Sequence, residues 1–227
     1  MSKRSFVRAA FAAGVAIVAV APGAARASVV FTETEFAAPG WAFSSYAFGP
    51  NGGSGAAQQT TQGRTGHGLR ITNNANNNNS GAWNVVLFPA FTYNPGASGP
   101  ISSLSFSIDT RFVDGLQAVS FVVAQGGHVW RMGYSLNTSA WTTFALTNVD
   151  VTQNQALTAG APLAPNLVSG GPVRFGFASA NSSSPNGFGY TRSGLYDNFS
   201  VTFVPAPGAA AAALAVGALS LSRRRRA

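Results

Sequence analysis

Hydrophobic and polar positions alternate with a period of two through most of residues 28–203. In Ile101–Thr110, for example, Leu104, Phe106 and Ile108 point to one side, and the serines between them point to the other. The same alternation recurs around residues 175 and 200. This pattern is typical of antiparallel strands with one buried face and one wet face.

Turn-forming residues separate these segments from further strand candidates, and no stretch shows helical periodicity. About ten short strands with turns between them predict an all-β fold, an antiparallel β-sandwich of jelly-roll type. Gly49–Gly66 and Asn73–Gly81 are expected to be exposed loops, and Val151–Gly171 a crossing between sheets. The further strand candidates are Val29–Phe36, Trp41–Phe48, Gly68–Asn73, Trp83–Phe88, Gln117–Ala124, His128–Ser135 and Trp141–Leu146.

The charge is concentrated at the two ends of the chain. The chain has 227 residues and a formal net charge of +8, from 14 Lys and Arg against 6 Asp and Glu. Eight of the basic residues lie in residues 1–27 and 223–226, so residues 28–203 carry six arginines against six acids. A neutral middle offers no basic patch for phosphates, which excludes nucleic acid as a partner.

Composition bounds the chemistry of the middle segment. The chain has no cysteine, which excludes disulfides, a thiolate nucleophile and cysteine-based metal sites. Charged residues make up 9% and hydrophobic residues 46% of the chain, enough apolar material for a buried core. Residues 28–203 therefore form one globular domain stabilised by packing and strand pairing.

The N-terminus has the plan of a secretory signal peptide, residues 1–27, which is expected to form a signal helix. Basic residues precede the apolar run Ala9–Val20, and the small residues Ala25 and Ala27 come before a cut that leaves Ser28 as the first mature residue. The apolar run is too short for a membrane anchor, which needs about 20 residues. Export machinery and signal peptidase are the partners this segment predicts.

The C-terminal segment, residues 204–227, has three parts. Pro205 and Pro207 precede an apolar stretch, residues 209–222, and a basic cluster formed by Arg223, Arg224, Arg225 and Arg226. A helix over the apolar stretch would be about 21 Å long, short of the ~30 Å hydrocarbon core. Because arginines resist translocation, the cluster is expected to stay on the cytoplasmic side and tether the protein transiently.

This tail resembles that of the PEP-CTERM proteins. Pro205 and Pro207 match the two prolines of the family's signature, although Ala206 stands where the family usually has Glu. The resemblance implies that an exosortase-like membrane protease removes the tail during export. It also implies a location in the cell envelope, on the outer surface or in the extracellular matrix, as in a biofilm.

The domain itself resembles the concanavalin A-like or laminin G-like sandwiches. The residues that carry this resemblance are Phe175–Ser179, Gly194–Val201 and the segment Gln125–Trp130. The resemblance implies a fold and no reaction.

Few residues suit catalysis. Glu33 and Glu35 are the only close pair of carboxyl groups, and their position on an edge strand favours a solvated face over a glycosidase site. Asp109 and Arg111 are expected to form a surface ion pair. No serine has a plausible His and acid partner. No cofactor is expected, although an oxygen-liganded calcium ion at Asp197 or Asp150 stays open.

Binding is the more credible activity. On a regular strand, His128, Trp130, Met132 and Tyr134 share one face, where Trp130 and Tyr134 could stack on sugar rings and His128 could donate a hydrogen bond. The favoured alternative places Trp130 and Met132 in the core. Core membership is also expected of the other tryptophans, Trp41, Trp83 and Trp141.

The sequence thus favours an exported, non-enzymatic envelope or matrix protein with a β-sandwich body. A carbohydrate-binding module that uses an aromatic strand face, with extracellular polysaccharide as its partner, is the alternative. A glycan-cleaving enzyme on the same fold ranks below both.

Overall fold

A computed structural model describes residues 28–206, which form twelve strands and one short helix, α1 (Pro95–Ser98). The signal peptide with Ala25 and Ala27, both predicted terminal helices, Pro207 and Arg223–Arg226 lie outside these residues. Within 28–206, no helix is long and apolar enough to cross a membrane. The strands are β1 (Val29–Glu33), β2 (Ala42–Phe48), β3 (Gly53–Thr60), β4 (Gly68–Ala75), β5 (Gly81–Tyr93), β6 (Ile101–Phe112), β7 (Ala118–Gln125), β8 (His128–Leu136), β9 (Thr142–Leu146), β10 (Asn154–Ala156), β11 (Val173–Ser182) and β12 (Tyr190–Pro205).

The strands form two antiparallel sheets that pack face to face. Sheet A has the order β3-β4-β12-β6-β9, and β1 pairs with the C-terminal half of β12. Sheet B has the order β10-β8-β7-β11-β5-β2. The predicted antiparallel β-sandwich is therefore confirmed. The crossing predicted over Val151–Gly171 is wrong in its bounds: the chain passes from sheet A to sheet B in residues 147–153, between β9 and β10, and residues 157–172 join β10 to β11 within sheet B. The closer resemblance to concanavalin A-like sandwiches stays a prediction.

Phenylalanines fill the core between the sheets. Phe199 of sheet A lies 5.0 Å from Phe88 and 5.7 Å from Phe177 of sheet B, measured between ring centroids. The positions that alternation assigned to the core are buried, which confirms the inward faces of β6, β11 and β12. These positions are Leu104, Phe106, Ile108, Phe175, Phe177, Phe199, Val201 and Phe203.

A polar network is buried between the sheets at one end of the sandwich. The Tyr196 hydroxyl of β12 lies 2.9 Å from Oε1 of Gln117 and 2.6 Å from Oγ of Ser179 on β11. Asn73 of β4 donates to the same serine at 2.8 Å. Burial raises the pKa of Tyr196, so its hydroxyl stays protonated as a donor. The network links the two sheets by directional bonds.

The predicted loop Gly49–Gly66 is wrong in its first half, because it contains strand β3. Its small residues carry no alternating hydrophobic signal, yet they are required by close packing. A side chain at Gly55 would lie 2.3 Å from the Asn84 amide of sheet B. In the predicted loop Asn73–Gly81, Asn73 belongs to β4 and is buried, so the exposed asparagines begin at residue 76.

Replacing Tyr196 by Phe should lower the free energy of unfolding by about 1–2 kcal/mol, because Gln117 and Ser179 lose a buried hydrogen-bond partner. Urea denaturation measures the change. Tyr134→Phe removes a hydroxyl from a side chain that is 60% exposed and should change stability by less than ~0.5 kcal/mol. Equal effects of the two substitutions would contradict a stabilising role for the buried network.

Candidate functional site

The outer face of sheet B carries a groove with aromatic walls. Strand register places five side chains side by side across the sheet: Leu136, Ala118, Ala180, Trp83 and Tyr46. The small alanines form the floor, and the large residues form the two sides. We call this depression, about 350 Å³ in volume, the sheet B groove; its lining is Phe48, Trp83, Leu116, Ala118, Tyr134, Leu136, Ala180, Asn181, Ser182 and Tyr190.

A β-bulge turns Tyr134 into this groove. Two residues of β8, Gly133 and Tyr134, oppose the single residue Ser120 of β7, and Gly133 has a φ of 63°. The extra residue reverses the faces of the strand beyond it. Tyr134 is therefore 60% exposed on the outer face, whereas Trp130 and Met132 point into the core at 2% and 1% exposure.

The predicted glycan contacts His128, Trp130 and Tyr134 are not brought together on one exposed face. The Trp130 indole N–H donates to the carbonyl of Pro162 at 2.9 Å, and its ring belongs to the core as the favoured alternative expected. His128 lies beside Trp130, with 6.0 Å between ring centroids. Only Tyr134 of the three lines the groove.

Trp141, which was also expected in the core, is only half-buried and lies beneath the guanidinium of Arg111. Trp83 was expected in the core between the sheets and lies on the opposite face of its strand. It pairs laterally with Ala180 and Tyr46 on the outer face, whereas Trp41 packs against the core as expected. Around Trp83 the strand is apolar on both faces, with Val85 and Leu87 outside and Val86 and Phe88 inside. Alternation therefore carried no signal about which face holds the indole.

The guanidinium of Arg131 stacks on Trp83, with its carbon 4.3 Å from the ring centroid. The two residues stand on β8 and β5, which are separated by β7 and β11, about 14 Å at normal strand spacing. Val122 and Ala178 lie on the outer face between them and are fully buried. We infer that the Arg131–Trp83 pair covers this apolar part of the sheet, next to the open groove.

The groups around Arg131 are uncharged. Its Nη2 donates to the Oε1 of Gln155 on β10, and its Nε is buried without a hydrogen-bond partner. Desolvation lowers the pKa of Arg131, with a smaller opposing electrostatic effect from Tyr134. A guanidinium stays charged even so, because its ordinary pKa lies far above neutrality.

The acidic residues of the described segment serve sheet A and its loops. The Glu33 carboxylate accepts the backbone N–H groups of Glu35 and Phe36 at 2.9 and 2.8 Å. Glu35 pairs with His67 at 3.0 Å. The two glutamates therefore hold a turn and a loop.

The predicted ion pair between Asp109 and Arg111 is wrong. Asp109 is almost fully buried and pairs with Arg64 at 2.9 Å, while Arg111 stacks over Trp141 at 5.4 Å. The cross-strand neighbour of Asp109, Asp197, also binds the segment around Arg64. The sequence could not reveal these partners, because the loop that supplies them is 45 residues away in the chain.

The carboxylates considered for calcium are occupied by hydrogen-bond donors. Asp197 accepts the backbone N–H groups of Arg64 at 2.6 Å, Thr65 at 3.0 Å and Asn198 at 2.7 Å. Asp150 accepts the N–H and hydroxyl of Thr152, which lower its pKa. Among the residues from 28 to 206, no three His, Cys, Asp or Glu side chains group to hold a metal ion.

No family model and no curated protein match this chain. Several solved structures are similar over most of its length. A family 11 carbohydrate-binding module from Clostridium thermocellum, in complex with a β-1,3-1,4-mixed-linked tetrasaccharide, is 15% identical over 78% of this chain and 96% of that one, with a TM-score of 0.48. The family 22 module of Clostridium thermocellum Xyn10B is 13% identical over 77% and 93%, with a TM-score of 0.38. A Cellvibrio mixtus lichenase 5A module in complex with cellotriose is 17% identical over 66% and 88%, with a TM-score of 0.33.

Replacing Gly133 by Ala should destabilise the protein by about 2–3 kcal/mol, because a side chain there has an unfavourable φ and its Cβ would lie 2.2 Å from Cδ1 of Leu146. Gly160→Ala is the matched control, since Gly160 also has a positive φ (68°) but open space around it. It should cost only about 1–2 kcal/mol. Urea denaturation of both variants compares them; equal losses would show that the bulge tolerates a side chain.

Proposed function

We propose that this protein binds a saccharide chain in the sheet B groove. The observation that carries the proposal is the aromatic lining of an open, alanine-floored depression. Aromatic rings pack well against the C–H faces of sugars, and exposed rings of this kind are costly to leave uncovered in water. Trp83 and Phe48 form one side of the groove, and Tyr134 with Leu136 forms the other.

One end of the groove offers hydrogen bonds to the hydroxyl groups of a sugar. The Tyr190 hydroxyl lies 3.0 Å from Oδ1 of Asn181 and 2.6 Å from the carbonyl of Ser182. The Asn181 Nδ2 is buried and has no hydrogen-bond partner. A buried amide N–H without a partner is costly, and a turn of the Asn181 side chain would present this N–H to a sugar hydroxyl that enters the groove.

The lining favours binding over cleavage. A glycosidase uses two carboxyl groups on either side of the scissile bond. The residues that line the sheet B groove include no Asp, Glu or His. The function that the groove supports best is therefore that of a carbohydrate-binding module, which is the second hypothesis of the sequence analysis.

Trp83→Ala and Tyr134→Ala should each weaken binding of the full chain to its best saccharide by about tenfold or more, because each removes a wall of the groove. A polysaccharide panel, read by affinity electrophoresis and calorimetry, identifies that saccharide. Trp141→Ala is the matched control, since Trp141 also carries a stacked arginine but lies beside sheet A. Unchanged binding in both groove variants would refute the site.

We propose in addition that the protein is exported and sorted through its C-terminal segment, so that saccharide binding takes place in the envelope or matrix. The residues that support this are the signal-peptide pattern before Ser28 and the tail formed by Pro205, Pro207 and Arg223–Arg226. A domain with as many arginines as acids, few charges and many Asn, Ser, Thr and Gly residues suits a matrix component.

Intact mass of the protein recovered from its producing cells tests the sorting proposal. The mature form should begin at Ser28 and lack Arg223–Arg226. A variant with the four arginines deleted should be released or processed differently, because the positive charges that halt translocation are gone. Recovery of a mature form that retains Arg223–Arg226 would refute the proposal.

A further inference from the structure

We infer that the sheet B groove selects acidic saccharides, whose carboxylate binds the guanidinium of Arg131. This inference rests on the proposed saccharide-binding function and names the substrate class of the same site. It follows from where Arg131 lies, what surrounds it and how charge is distributed between the two sheets.

Arg131 lies next to both sides of the groove. Its guanidinium stacks on Trp83 of one side, and its own strand, β8, also carries Tyr134 of the other side, three residues further on. Asn181 and Tyr190 lie at the end of the lining that is away from Arg131. Asn181 pairs with Ala82 near the start of β5, whereas Arg131 pairs with Val122 in the interior of β7. A saccharide in the groove would therefore meet uncharged polar groups at one end and a cation at the other.

Arg131 has no carboxylate partner within the described segment. The two ion pairs found in residues 28–206 are Arg64–Asp109 and His67–Glu35, and neither lies on sheet B. The six strands of sheet B contain two arginines, Arg131 and Arg174, and no Asp or Glu. The domain is neutral as a whole, but its groove-bearing sheet is positive.

The guanidinium is held ready for an anionic acceptor. Stacking on the Trp83 ring fixes its plane, and the Gln155 side chain, which is exposed at the edge strand, supplies one neutral acceptor. A carboxylate in place of this amide oxygen would form charge-assisted hydrogen bonds, which are about twice as strong as neutral ones. Planar arginine is the side chain best suited to carboxylate recognition.

Stacking on tryptophan alone does not make such a site. Arg111 also stacks on a tryptophan and also has a buried Nε without a partner. It stands on β6 of sheet A, however, two residues from the buried Asp109 and three from Asp114. Acidic groups close to Arg111 would repel an anionic ligand, and this makes Arg111 a matched control.

Binding of the full chain to polygalacturonate and to alginate tests the inference, each compared with its fully esterified, uncharged form. We expect the acidic form of at least one polymer to bind about tenfold tighter at low salt, and the preference to shrink as salt rises. Arg131→Gln should abolish the preference, Arg131→Lys should retain part of it, and Arg111→Gln should leave it unchanged.

The outcomes separate this inference from the proposed function. If the wild-type protein binds both forms equally, or binds only neutral saccharides, charge selection is overturned and saccharide binding stands. If Arg131→Gln weakens the acidic and esterified forms by the same factor, Arg131 acts only as a support for Trp83, and the inference is likewise overturned. If no saccharide in the panel binds, both proposals fail.

Discussion

The stacking of Arg131 on Trp83 is the interaction that connects the packing of sheet B to its proposed function. Sheet B is apolar on both faces, and only its inner face is covered by sheet A. The arginine and the indole meet above the outer face, on which Val122 and Ala178 are fully buried. The same contact forms one side of the groove and holds a cation beside it. The contact between Arg131 and Trp83 requires small side chains on β7 and β11, the two strands that lie between β8 and β5.

The two sheets divide the charged residues between them. Sheet A and its loops use acids for structure, since Asp109 and Asp197 bind the segment around Arg64 and Glu33 closes a turn. Sheet B has arginines but no acids in its strands. A buried acid on sheet A costs little because backbone and guanidinium donors surround it. An arginine on sheet B that has no carboxylate partner can still bind an anionic ligand. The formal charge of zero for the whole domain hides this difference between the two sheets.

Much of the fold followed from alternation, because a strand with one buried face must repeat every two residues. The inward faces of β6, β11 and β12 were predicted correctly for this reason. Strand β3 was missed because its glycines and alanines show no alternation of hydrophobic and polar positions. These residues are small because β3 passes close to Asn84 of sheet B. The face of Trp83 was missed because β5 is apolar on both sides. Tyr134 was placed with Trp130 because a bulge of one residue is invisible to a strict period of two.

Local patterns along the chain were enough to predict the all-β class, the inward residues of the regular strands and the arrangement of charge. The export and sorting predictions rest on that arrangement. These features depend on local periodicity and composition, which need no knowledge of distant contacts. The meeting of Trp83, Tyr134 and Arg131 on one face depends on the three-dimensional fold, because these residues stand on β5 and β8 with two strands between them. Strand order, strand register and one β-bulge bring these three residues together. Each of them depends on pairing between segments that are far apart in the chain.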